Sequence, residues 1–271
     1  MWPSCGRGPA FQAVLNPLVS APLSVHPAAA SAPRRTIAAH VEHRAEFPNP
    51  MNQTLDPSTP ADAAFPNRIP VTRDAIAAYV ADSIAVKQAL LADAALLDAI
   101  GAVVTLCIAA FRRGNKVLVG GNGGSAADAQ HLAAELVARF EYDRPGLPAV
   151  SLSTDTSGMT AIGNDYGYEY LFARQIDALA RPGDLFIGIT TSGNSRNVLK
   201  AFESAAKLGV TRIALCGAGG KARDIAEHAL CVPSTHTPRI QECHILIIHI
   251  LCALLEENLF PEHKAPKPAL P

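Results

Sequence analysis

The sequence predicts an α/β protein, a three-layer fold with a parallel sheet between helices, entered through two N-terminal helices and preceded by a disordered extension. Short β-branched or apolar runs recur at 116–119, 149–152, 185–190, 212–215 and 229–232. Helical patterns separate them at 126–140, 168–179, 196–208 and 222–228. Two of the strand ends run directly into loops built from Gly, Ser, Thr and Asn. Strand and helix alternating at this spacing make a parallel sheet covered on both faces, with ligands at the carboxyl ends of the strands.

Residues 1–70 carry 12 of the 21 prolines and hold no sustained period of 2 or 3.6. Such a segment buries too little apolar surface to offset its ordering entropy, so disorder is expected there. Arg7 precedes a weakly apolar stretch, but Pro9, Pro17, Pro22 and Pro27 interrupt it, which argues against an export signal. A start at Met51, or nearer residue 70, is the alternative reading of this extension. The compact domain is expected over 71–262, with a short tail at 263–271.

Ile76, Tyr79, Val80, Ile84, Val86, Leu90 and Leu91 recur at helical spacing, and 96–111 does so again, giving the two N-terminal helices. The last helix, about 240–260, is apolar nearly all round, and one layer of this size hides only one side of such a helix. We expect it to lie in a subunit interface. Its most apolar run, 245–255, is too short to span a bilayer and contains His249, so no membrane partner is expected.

The chain has 271 residues, a formal net charge of -1 and a pI near 6.7. That balance provides no global basic field for nucleic acid or an anionic membrane. An anionic ligand must be held locally. Six cysteines, without a CxxC pair, lie mostly in apolar runs and read as reduced thiols of a cytoplasmic protein.

The first loop is Gly120-Gly121-Asn122-Gly123-Gly124-Ser125, after a strand and before a helix. Ser125 is suited to cap that helix, leaving free N–H groups for an anion; a tight turn with no ligand is the plainer reading. It does not fit the dinucleotide fingerprint, because the third glycine would fall at Ala126. The second loop, Thr190-Thr191-Ser192-Gly193-Asn194-Ser195, offers four hydroxyls at a helix N-terminus. It reads either as a neutral cradle for a phosphate monoester or as capping by Ser195. His131 and Glu135, four apart, project from one helix face and can share a metal or a proton path, or simply bond each other. Gln241 and His249, eight apart, stand ~12 Å apart along a regular helix. So either Gln241 precedes the regular helix or the residues come from different subunits.

The run TTSGNS resembles the phosphosugar-binding loop of sugar isomerase (SIS) domains. GNGGSAADAQH at 121–131, Glu135, RPGLPA at 144–149, AIGNDYGYE at 161–169 and RIQECHILIIH at 239–249 are similar to the phosphoheptose isomerases of that family. The resemblance covers about 72–260. It implies an aldose–ketose isomerase acting on a seven-carbon phosphosugar through an enediol(ate), with Glu135 and His249 as acid and base. It implies substrate contacts from Asn122, Gly123, Gly124, Asn164, Asp165, Thr190, Thr191, Ser192, Ser195 and Gln241, with Ser125 and Arg139 beside them. Asp165 is expected in a loop after the second strand, on sugar hydroxyls or capping the next helix. The resemblance also implies one zinc per subunit on His131, Glu135, Gln241 and His249, and a homotetramer with its sites at subunit contacts. A non-catalytic SIS protein that binds the replication initiator is similar over nearly the same span. Glu135 and His249 argue for the enzyme instead. An isomerase or sensor for another phosphosugar is the third reading.

Overall fold

The computed structural model describes residue 69 and residues 71–264. The expectations for the N-terminal extension and the tail therefore fall almost wholly outside the described residues. Helices α1 (Arg73–Ala92) and α2 (Ala94–Arg112) lead into β1 (Val117–Gly121), α3 (Gly124–Val137) and β2 (Ala149–Ser151). Then come α4 (Thr156–Asp165), a 3-10 turn Tyr168–Tyr170, α5 (Leu171–Leu179), β3 (Leu185–Thr190), α6 (Arg196–Lys207) and β4 (Thr211–Cys216). The last elements are α7 (Ala222–Ile225), β5 (His228–Cys231), α8 (Thr237–Leu259) and a 3-10 turn Pro261–His263.

The five strands run parallel in the order β2-β1-β3-β4-β5. Because side chains alternate across a strand, each strand feeds two cores. Val117, Val119, Leu185, Ile187, Ile189, Ile213 and Leu215 pack with α2, α3 and α8, while Leu118, Phe186 and Ala214 pack with α5 and α6. This is the three-layer arrangement the alternation predicts. From β1 the chain moves one way to β2, then crosses to β3 and continues the other way. The crevice between the carboxyl ends of β1 and β3 is thus the switch point where such sheets bind ligands, and both sequence-marked loops open onto it.

Helices α1, α2 and α8 are each long and apolar enough, by length and composition, to cross a bilayer. The run 245–255, too short by itself, is the middle of a 23-residue helix. In α2 and α8 this apolarity goes into packing: Leu96, Ile100, Val103 and Cys107 meet Ile247, Ile248, Leu251 and Leu255 in one core. The opposite side of α8, with Ile245, Ile250 and Leu254, stays only partly buried. On α1 the pattern Ile76, Tyr79, Val80 and Ile84 forms an exposed apolar stripe, each residue at least half exposed.

Several boundaries differ from the sequence reading. The helix expected over 222–228 stops at Ile225, since the chain must turn to deliver His228 into β5. Helix α4 was not anticipated: two glycines and four Ser, Thr or Asn residues give it low propensity. It is started by Asp155, whose side chain accepts the Gly158 N–H at 3.0 Å.

His244 on α8 is fully buried, and neither ring nitrogen makes a hydrogen bond of normal geometry. Burial pushes its pKa down from 6.5 to about 4, with only a weak opposing pull from the Cys216 backbone. The unfolded chain takes up this proton below about pH 6.5 and the folded chain only near pH 4. Stability is therefore intact above pH 6.5 and falls as pH drops, by up to about 3 kcal/mol. The expected result is that His244→Leu flattens this acid limb in urea unfolding between pH 7 and pH 4.

Candidate active site

The glycine loop departs from the expected geometry at one residue. Ser125 lies inside α3 and is buried; the cap position is Gly123, and no side chain caps the helix. Glycine at 123 and 124 lets the helix begin earlier, and the Ser125 and Ala126 N–H groups donate to the Asn122 and Gly123 carbonyls, both at 3.0 Å, which closes the first turn without a side-chain cap. Asn122 leaves the end of β1 and exchanges a reciprocal amide pair with buried Asn197 on α6, 2.9 and 2.8 Å. The Tyr168 hydroxyl donates to the Asn122 oxygen at 2.9 Å. This pair fastens the two loops to each other.

In the second loop the Thr190 and Ser195 hydroxyls bond each other at 2.9 Å. Ser195 occupies the cap position of α6 but makes no capping bond, which removes the plain capping reading. The Ser192 hydroxyl accepts the Asn194 N–H at 3.1 Å, and Thr191 receives the Gly217 N–H on its carbonyl at 3.2 Å. Gly193 has φ 66° and lies against the 219–220 backbone, which a Cβ would strike. Gly193→Ala is expected to lower stability by about 1–3 kcal/mol and to weaken phosphosugar binding. Denaturant midpoints and titration calorimetry measure the two effects.

Asn122, Tyr166, Tyr168, Ser195, Arg196 and Asn197 line a cleft of about 490 Å³ at the switch point. Tyr168, Arg196 and Asn197 were not singled out in the sequence. Asn197 carried a signal, since an Asn two residues into an amphipathic helix after a phosphate-type loop has no core role to fill. Asn164 and Asp165 are not in a loop but end α4, where the Asn164 amide donates to Asp165 at 2.8 Å. Asp165 lines a neighbouring cleft that shares Tyr166. Helix α4 brings it there, so the alternative role of capping the next helix does not hold.

The titratable pair sits elsewhere. His131 Nε2 lies 3.1 Å from Glu135 Oε1 on the next turn of α3, and 3.1 Å from His249 Nε2 on α8. Phe140 packs on the His249 ring at 5.3 Å. A carboxylate oxygen and two imidazole nitrogens thus converge, and His131 Nε2 has only one proton or one lone pair to offer its two neighbours. Such a meeting calls for a shared proton or a cation. Two imidazoles and a carboxylate form a donor set that suits zinc. Even so, no three His, Cys, Asp or Glu side chains form a ready-made cation site among the described residues.

Helices α3 and α8 run side by side and in the same direction. Gln241 stands against Gly124, where a Cβ would strike its carboxamide. Gln241 and the glycine loop therefore mark the start of the pair, His131 with His249 lies near its middle, and Glu135 lies near the end of α3. Gln241 lies within regular helix, so it is ~12 Å along α8 from His249 and does not join the cluster within one chain. Glu135 is eleven residues beyond Gly124, or ~16 Å along α3. Arg139, past the end of α3, is further still and is not beside this chain's own glycine loop.

Asp128, one turn before His131, was also missed. Its Oδ2 is buried without a partner, and burial raises its pKa to about 6 against the pull of His131. Its spacing of three from His131 on the same helix stripe was visible in the sequence.

A five-stranded parallel sheet with two loops closing on its switch point, one neutral and rich in hydroxyls, defines a phosphosugar-binding protein of the SIS class. The chain belongs to the SIS domain family, whose model matches residues 78–217. It is 55% identical over 188 residues to the phosphoheptose isomerase of Aneurinibacillus thermoaerophilus, covering 69% of this chain and 95% of that one. The phosphoheptose isomerase of Geotalea daltonii is 59% identical over 166 residues, covering 61% and 86%. Among solved structures, the phosphoheptose isomerase of Neisseria gonorrhoeae aligns with a TM-score of 0.64 at 42% identity, covering 68% of this chain and 98% of that one.

Proposed function

We propose that the chain is a phosphoheptose isomerase, converting sedoheptulose 7-phosphate to D-glycero-D-manno-heptose 7-phosphate. The observation that carries this is Glu135 and His249, 114 residues apart, meeting through His131 on adjacent helices of an SIS fold. The hydroxyls of Thr190, Thr191, Ser192 and Ser195, with the open N–H groups of α6, hold the phosphate. Asn122, Gly123, Gly124, Asn164, Asp165 and Gln241 hold the sugar end, with Ser125 supporting the loop from inside α3. Glu135 removes the carbon-bound proton and returns it to the neighbouring carbon, while His249 moves a proton between the two oxygens. Those two transfers carry the ketose through an enediol(ate) to the aldose.

His131, Glu135 and His249 would hold a zinc ion, one per subunit, with Gln241 supplied by another copy. When bound, the ion offers a Lewis acid for the sugar carbonyl. Since Glu135 lies ~16 Å along α3 from the glycine loop and Gln241 ~12 Å along α8 from His249, each site draws on more than one subunit of a homotetramer. Arg139 then serves a neighbour's site. The exposed apolar stripe on α1 and the half-covered side of α8 support such assembly. The reaction is cytoplasmic and feeds nucleotide-activated heptose for cell-surface polysaccharide such as lipopolysaccharide.

Purified protein is expected to isomerise sedoheptulose 7-phosphate, to lose activity with a chelator and to regain it with zinc. Turnover of other ketose phosphates in preference would overturn the substrate assignment. No turnover of any phosphosugar, together with binding to the replication initiator, would favour the non-catalytic relative.

A further inference from the structure

Strands β4 and β5 end side by side with Cys216 paired in register to Cys231, and their sulfurs lie 3.5 Å apart. The two are unequal. Cys216 is fully buried, whereas Cys231 is half-buried on the edge strand of the sheet and lines a cleft of about 460 Å³ with Arg223, Asp93 and Pro233. Neither thiol has a part in the chemistry proposed above.

We infer that Cys231 and Cys216 form a peroxide-reactive dithiol, with Cys231 the attacking sulfur and Cys216 the resolving one. The hydrogen bond from Cys216, helped by the Arg223 guanidinium, holds the Cys231 thiol down at about 7 against burial. The same contact and burial push Cys216 up. Both effects favour a thiolate on the half-buried sulfur at the cleft over one on the buried sulfur. Attack of the Cys231 thiolate on hydrogen peroxide forms its S–O bond, breaks the O–O bond and releases hydroxide. The Cys216 sulfur then displaces the sulfenic hydroxyl, forming the S–S bond, and its proton leaves with that oxygen as water. The hydroxide takes up the proton that the Cys231 thiol lost on ionising, so two thiols are oxidised, one peroxide is reduced, and two waters result.

The pair is also tied to the phosphate loop. Immediately after Cys216, Gly217 N–H donates to the Thr191 carbonyl at 3.2 Å, and Ala222 N–H donates to the Gly193 carbonyl at 2.9 Å. Lys221 N–H donates to the Asn194 side chain at 3.2 Å. Drawing the ends of β4 and β5 together moves the 217–222 segment that supports the hydroxyl loop. On the isomerase reading, the oxidised form binds phosphosugar roughly tenfold more weakly, equivalent to about 1.4 kcal/mol.

The test exposes the full-length protein to hydrogen peroxide, maps its thiols by peptide mass spectrometry and titrates it with sedoheptulose 7-phosphate by calorimetry. The expected result is a linked peptide pair containing Cys216 and Cys231, two hydrogens lighter, reversed by dithiothreitol along with the loss of affinity. In Cys216→Ser, Cys231 should be trapped as a sulfenic acid that dimedone captures. Oxidation of Cys231 no faster than buried Cys107, or pairing of Cys231 with Cys5, overturns the site. A linked pair with unchanged phosphosugar affinity overturns its coupling to the loop. A linked pair in a protein whose reduced form turns over no phosphosugar sinks the isomerase reading and leaves the thiol site standing.

Discussion

Glu135→Gln is expected to abolish isomerisation, with kcat falling by roughly 10²–10⁴-fold, the usual contribution of a positioned acid or base. The amide keeps the size of the side chain and its contact with His131 Nε2, but it cannot accept a proton from carbon. Phosphosugar binding should change little, because the hydroxyl loop and the glycine loop lie at the far end of α3 from this residue. Single-turnover kinetics and calorimetry separate the two. Full activity in this variant would remove the assigned chemistry, whereas lost binding would mean that Glu135 acts mainly as a ligand.

The largest stability effect is expected at Arg144 and Glu256. This ion pair is almost wholly excluded from solvent, with Nε to Oε1 at 2.9 Å. Glu256 also accepts the Phe140 and Glu141 N–H groups at 2.7 and 2.8 Å. Arg144 donates to the carbonyls of Leu136 and Glu135, both at 2.7 Å, closing the C-terminal turn of α3. Removing one partner leaves the other charge buried without compensation, so Glu256→Leu or Arg144→Leu is expected to cost about 3–5 kcal/mol. The double variant, with Leu at both positions, should cost less than the sum of the two. Urea midpoints of the three proteins test this. Equal losses in the double and summed single variants would show that the pair does not act as a unit.

The layers, the two loops and the helical His–Glu pair were all legible in the sequence, because each rests on local signals. Glycine, serine and threonine at strand ends mark turns that open onto helices, and periodicity separates strand from helix. Helix α4 was not legible, because Thr156–Asp165 combines weak helix formers and owes its start to Asp155. The relation between α3 and α8 was hidden for a different reason. His131 and His249 are 118 residues apart, and no local pattern states that their helices lie parallel with Gln241 against Gly124. The role of Glu256 was hidden as well, because its partner Arg144 lies 112 residues away and only packing reveals the pair. The Cys216–Cys231 pair follows from strand register alone, which the alternation of elements does not give.

Helix α3 is a single rigid rod with a different duty at each end. On the proposed reading, a chain damaged at the cradle end still lends a sound cluster to its neighbour, and a chain damaged at the cluster end still lends a sound cradle. Two separately dead proteins of these opposite kinds, mixed within one oligomer, therefore contain intact working sites, whereas two of the same kind contain none.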